Sequence, residues 1–83
     1  MKSRPADGEN DPRILFGRRL VELRKNLGWS QEALAAEAGV GRSYLSGVER
    51  GVRNIAIVNI CKLAATLRVD PSEMLKFSKE QKA

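Results

Sequence analysis

Between Gly39 and Gly51 the chain reads GVGRSYLSGVERG, and the adjacent Arg42, Ser43 and Tyr44 carry side chains suited to reading the edges of bases. An arginine guanidinium presents two parallel donors that match guanine O6 and N7, and such a bidentate pair contributes roughly 1–3 kcal/mol of discrimination. A serine hydroxyl both donates and accepts, so readout by Ser43 would be permissive. Tyr44 has two readings: it touches a thymine methyl or a phosphate, or it covers the base of its own helix. Leu45 and Val48 point the other way, so the stretch is a short helix with one polar and one apolar side. Arg50, Arg53 and Asn54 follow directly, and basic residues beside a reading helix suit phosphate contact.

No other chemistry competes with this one. The chain has no His and a single Cys, no metal-ligand spacing and no glycine-rich phosphate loop, and 83 residues are too few for a catalytic pocket. We therefore expect no catalytic residue, no metal, no cofactor, no small-molecule ligand and no enzyme activity. Cys61 lies beside an apolar stripe and reads as a small packing residue.

The elements that must hold this stretch follow from helix signals alone. Asp11-Pro12 caps and opens a first helix over about 12–27, in which Phe16, Leu20, Leu23 and Leu27 recur at helical spacing and Gly28 stops the run. Ser30 caps a second over about 31–38, with Trp29 ahead of it packing on Leu34 as a staple and Ala35 and Ala38 permitting close helix approach. Gly39-Val40-Gly41 makes the turn, with Val40 plugging the core. A third helix runs over about 42–50 and Gly51 ends it; Gly47 inside it costs roughly 1 kcal/mol relative to Ala. That cost on an outward face implies that something approaches closely there. A fourth helix spans about 55–67, with Ile57, Ile60, Ala64 and Leu67 inward and Leu63 on the flank. Asp70-Pro71-Ser72-Glu73 opens a fifth, whose Met74, Leu75 and Phe77 exceed what one face needs. One of those three is then a candidate for a dimer contact. No strand pattern or repeat occurs, and the fold class is all-α with five short helices. Residues 1–11 read as a disordered arm, 12–78 as the domain, and the end of the chain from Ser78, most clearly 79–83, as a frayed tail.

Lys and Arg number 15 against 10 Asp and Glu. Removing Lys2 and Arg4 from one side and Asp7, Glu9 and Asp11 from the other leaves 13 against 7 beyond residue 12, so the folded part is the more basic. A field of that sign favours a polyanionic partner. No apolar run approaches the roughly 18 residues of a membrane span and no signal peptide precedes the domain, so the expected place is the cytoplasm, with no membrane partner.

Taken together, Phe16-Gly17, Leu23-Arg24, Gly28 to Ala35, Gly39-Val40, Leu45-Ser46, Glu49-Arg50-Gly51 and Leu63 to Val69 resemble the phage-repressor-like (lambda-repressor, Cro/C1-type) helix-turn-helix domains. Arg42 to Arg50 followed by Arg53-Asn54 looks more narrowly like the small controller proteins of restriction-modification systems. The resemblance implies a five-helix DNA-binding domain that binds an inverted-repeat operator in double-stranded DNA as a homodimer, with its third helix in the major groove. It places Arg42 and Ser43, with Tyr44 adjoining, at base-reading positions. Position 47, where relatives read a base, is Gly in this chain. The resemblance puts Ser30 and Gln31 on a backbone phosphate at the start of the second helix, where free N–H groups and the helix dipole also favour an anion. It puts Arg53 and Asn54 near DNA, and Arg24 with Glu49 in a structural salt bridge. Gly41 departs from the capping residue usual at that helix start.

The expectation is thus a sequence-specific dimeric transcription regulator, plausible as a restriction-modification controller acting on its own promoter. The alternative is an antitoxin-type regulator or protein-interaction module that binds a partner toxin.

Overall fold

The computed structural model describes residues 11–77 and consists of five helices with no strand among them. They are α1 (Pro12–Asn26), α2 (Gln31–Ala38), α3 (Arg42–Glu49), α4 (Ile57–Leu67) and α5 (Pro71–Met74). The expected arm through residue 10 and the tail from residue 78 lie outside the described residues.

The helix starts are where capping chemistry puts them. The Asp11 carboxylate accepts from the Arg13 N–H at 2.9 Å, and the Arg13 guanidinium lies 2.6 Å from its other oxygen. Those bonds hold the Asp11 carboxyl below its ordinary value. Ser30 Oγ accepts from the Ala33 N–H at 3.0 Å to open α2, and Asp70 accepts from the Ser72 N–H at 2.9 Å to open α5. Gly41 gives α3 no side-chain cap, as its lack of a side chain requires. The α2–α3 turn rests on Gly39 at φ 75°, a left-handed conformation that glycine adopts without steric cost.

Helices this short are not stable alone, so packing of their apolar sides supplies the stability. Phe16 and Leu20 of α1, Leu34, Ala35 and Ala38 of α2, Leu45 and Val48 of α3, and Ile60, Leu63, Ala64 and Leu67 of α4 form one core, which Met74 of α5 closes. Trp29 and Val40 pack partly buried against it, in the places expected for the staple and the plug. Phe77 closes the end of the core edge-on to Phe16, ring centroids 6.3 Å apart.

Several apolar residues lie elsewhere than their spacing predicts. Leu27 is the C-cap of α1 and half exposed, because the helix ends at Asn26 before its last turn can reach the core. Ile57 is the first residue of α4 and 66% exposed, that helix beginning two residues later than expected. Leu63, expected on the flank, is fully buried. Cys61 is exposed, so it is not a packing residue. Met74 is completely buried, which removes it from the candidates for a dimer contact; Leu75, 49% exposed, and Phe77, half-buried, stay at the surface.

Candidate nucleic-acid interface

The polar side of α3 is built by spacing. Ser46 follows the adjacent Arg42 and Ser43 by four and three residues and Arg50 follows Ser46 by four, which brings all four onto one helix face, and together they line a shallow depression of about 200 Å³. Arg42, Ser43 and Arg50 are exposed. Ser46 belongs to this row although it was not singled out from the sequence. Its distance of four from Arg42 and of four to Arg50 was the signal available.

What holds the row in place lies at its edge, at Glu49, two turns from Arg42 along the helix. Glu49 receives Arg24 Nε at 2.6 Å and Arg24 Nη2 at 3.0 Å, a bidentate pair whose side chains are 11% and 5% exposed. Arg24 Nη1 also donates to the Trp29 carbonyl at 3.0 Å, and Gln31 Nε2 donates to Glu49 Oε1 at 2.8 Å. One carboxylate thus joins α1, the start of α2 and α3. Removing either partner of such a nearly buried pair costs roughly 3–5 kcal/mol because the other charge is left uncompensated. The Arg24–Glu49 pair stands where the resemblance implied, and the attachment of Trp29 and Gln31 to it was not foreseen. Gln31 commits one amide N–H to Glu49, and its second amide N–H remains to donate to another partner.

Close approach of the backbones makes this clamp possible. Gly17 is buried where α1 crosses α3, and a Cβ there would stand 2.6 Å from the carbonyl oxygens of both Val48 and Glu49. Only hydrogen fits in that space.

Tyr44 packs on its own helix. Its ring is half-buried against the core, and its hydroxyl accepts from Asn59 Nδ2 at 3.1 Å and from the Ala56 N–H at 3.4 Å. It thereby ties α3 to the start of α4, which has no side-chain cap of its own. The guanidinium carbon of Arg53 lies 5.8 Å from the ring centroid, within range of a cation–π interaction.

Gly47 is buried and not on an outward face. The group that comes close to it belongs to the protein, since a Cβ at position 47 would meet Arg53 Cγ at 2.8 Å. Arg53 and Asn54 are exposed on the loop after α3, alongside the row that α3 presents. Ser30, as N-cap, and the exposed first turn of α2 stand at the opposite end of the helix-turn-helix.

Elsewhere, Pro12, Phe16, Ile55, Ile60, Leu75 and Phe77 line a second, largely apolar depression of about 190 Å³. Among the described residues no group of His, Cys, Asp or Glu could hold a metal ion. No helix there is long and apolar enough to cross a membrane.

This architecture has relatives. The control protein C.BamHI of Bacillus amyloliquefaciens is 40% identical over 70 residues, covering 83% of this chain and 86% of that protein. The crystal structure of the restriction-modification controller protein C.AhdI from Aeromonas hydrophila matches with a TM-score of 0.73 and 53% identity over 75% of this chain and 94% of that one. SinR, the master regulator of biofilm formation, solved in complex with DNA, matches with a TM-score of 0.70 and 39% identity, covering 74% of this chain and 98% of that chain. The helix-turn-helix model HTH_3 matches residues 20–74, from the middle of α1 to the end of α5. The chain belongs to the HTH_3 helix-turn-helix family and is homologous to restriction-modification control proteins.

Proposed function

We propose that the protein is a cytoplasmic, sequence-specific DNA-binding transcription regulator that acts as a homodimer on an inverted-repeat operator, as a restriction-modification controller does at its own promoter. The observation that carries this reading is the polar row of Arg42, Ser43, Ser46 and Arg50 on a helix fixed at the edge of that row by the Arg24–Glu49 pair. A helix presenting donors at that spacing, rigidly seated, suits insertion into the major groove. Arg42 is the principal base reader and Ser43 and Ser46 read permissively. Arg50, Arg53 and Asn54 on one side, and Ser30, Gln31 and the free N–H groups of α2 on the other, meet phosphates. Tyr44 contributes by holding α3 against the start of α4, its hydroxyl accepting from Asn59 and Ala56. Similarity to a regulator solved with DNA supports the same class.

Dimerisation uses the α5 end. Leu75, Phe77 and Ile55 border an apolar depression there, which a second copy of the chain would cover. Paired recognition helices then address half-sites about 34–36 Å apart or a multiple of that.

Selection from a random duplex library tests the reading. The expected result is an inverted repeat bound roughly 10³-fold or more above scrambled DNA at one stated salt concentration. Arg42→Ala should abolish that preference and leave weak, salt-sensitive binding. Uniform binding without enrichment would overturn sequence-specific regulation and favour the alternative, in which the apolar α5 end takes a toxin. Sedimentation of the chain alone tests the dimer: the wild type should be dimeric and Leu75→Glu folded and monomeric, whereas a monomeric wild type would favour the alternative.

A further inference from the structure

We propose that Gly47 and Tyr44 form a seat on α3 that fixes Arg53 for DNA contact, which makes Gly47 a positioning residue that acts through Arg53. The inference rests on the DNA-binding reading above.

The seat follows from three features of the chain. Tyr44 and Gly47 are one turn apart on the same face of α3, so the ring makes a wall and the bare backbone of Gly47 a floor beside it. Gly51, at φ 80°, turns the chain back at the end of the helix, and the Val52 N–H donates to the Gly47 carbonyl at 3.0 Å. Arg53 is thereby delivered over the floor. Its Cγ, Cδ and Nε lie 2.8, 3.3 and 3.3 Å from where a Cβ of residue 47 would be, and its guanidinium carbon is 5.8 Å from the Tyr44 centroid. Stem and head are both placed, on a residue that is otherwise exposed.

An arginine on a free loop loses much of its rotamer freedom when it grips a phosphate, and that loss subtracts from affinity. Seating the stem in the unbound protein removes part of the loss beforehand. This accounts for a glycine in a helix interior, which is unfavourable by about 1 kcal/mol against alanine. The obstruction to a Cβ is a flexible side chain and not backbone, so a methyl group at position 47 would displace Arg53 without unfolding α3.

The test is a double-mutant cycle. Wild type, Gly47→Ala, Arg53→Ala and the double variant are measured for affinity to the selected duplex across a salt series, with thermal unfolding as the control. Gly47→Ala should unfold at or slightly above the wild-type temperature. It should bind the duplex roughly tenfold more weakly per half-site, as expected for one charged contact. Its plot of log affinity against log salt should be shallower by about 0.9 per subunit, the signature of one phosphate released. The double variant should bind like Arg53→Ala alone, and base preference at the Arg42 position should persist in all four. Wild-type affinity and salt slope in Gly47→Ala would overturn the seat, as would a Gly47→Ala loss undiminished in the Arg53→Ala background. A wild-type chain that selects no sequence would instead remove the DNA-binding reading beneath it.

Discussion

Gly17 and Gly47 both sit inside helices, both are buried, and at both a Cβ would come closer than 3.0 Å to another atom. The atoms differ. At Gly17 they are the carbonyl oxygens of Val48 and Glu49, part of the backbone of α3, which cannot retreat without moving the helix. At Gly47 they are the stem of Arg53, which can turn away. The side of α3 that faces α1 is consequently fixed by backbone contact and the Glu49 clamp, whereas at Gly47 the helix is covered by the stem of an exposed arginine. A glycine required by the fold and a glycine required by a side chain's position look alike in a sequence. Only the neighbour distinguishes them.

Substitutions on the two sides should therefore differ in kind. Glu49→Ala is expected to have the largest effect, a loss of about 3–5 kcal/mol in denaturant unfolding, because Arg24 and Gln31 both lose their acceptor. A loss below about 1 kcal/mol would mean that the clamp is only a surface pair. Gly17→Ala should cost roughly 1–3 kcal/mol by the same measurement, through forced separation of α1 and α3. Specific and non-specific DNA binding should then weaken together as the folded fraction falls. On the other side, Tyr44→Phe removes the hydroxyl that Asn59 and Ala56 share and should cost about 0.5–1.5 kcal/mol, with the ring still in place beneath Arg53. Gly47→Ala should change stability least, by no more than about 1 kcal/mol and in the stabilising direction, since alanine favours helix. Equal destabilisation by Gly17→Ala and Gly47→Ala would erase the contrast between the two glycines.

Much of the fold was legible before any coordinates. Caps at Asp11, Ser30 and Asp70, stops at Gly28 and Gly51 and the turn at Gly39 are local chemistry, decided within a few residues. Each stands where the residue types put it. Helical spacing identified Phe16, Leu20, Leu34, Leu45, Ile60 and Leu67 as core. It failed at Leu27 and Ile57, because periodicity continues smoothly through a helix end while the partner surface does not. Within Met74, Leu75 and Phe77 composition showed one apolar residue too many without saying which. A helix of four residues offers too little periodicity to separate the buried Met74 from the exposed Leu75.

The candidate site divides in the same way. Residue type and spacing by themselves put Arg42 and Ser43 outward on a short helix with basic residues close behind, since a helix's own geometry fixes which side chains share a face. They could not show that Gln31 and the Trp29 carbonyl complete the Arg24–Glu49 clamp, that Tyr44 is bound to Asn59, or that Gly47 faces Arg53. Those relations join groups on different elements. They exist only once packing of the core has set the crossing of α1 with α3 and the path of the loop that brings Arg53 back over its own helix.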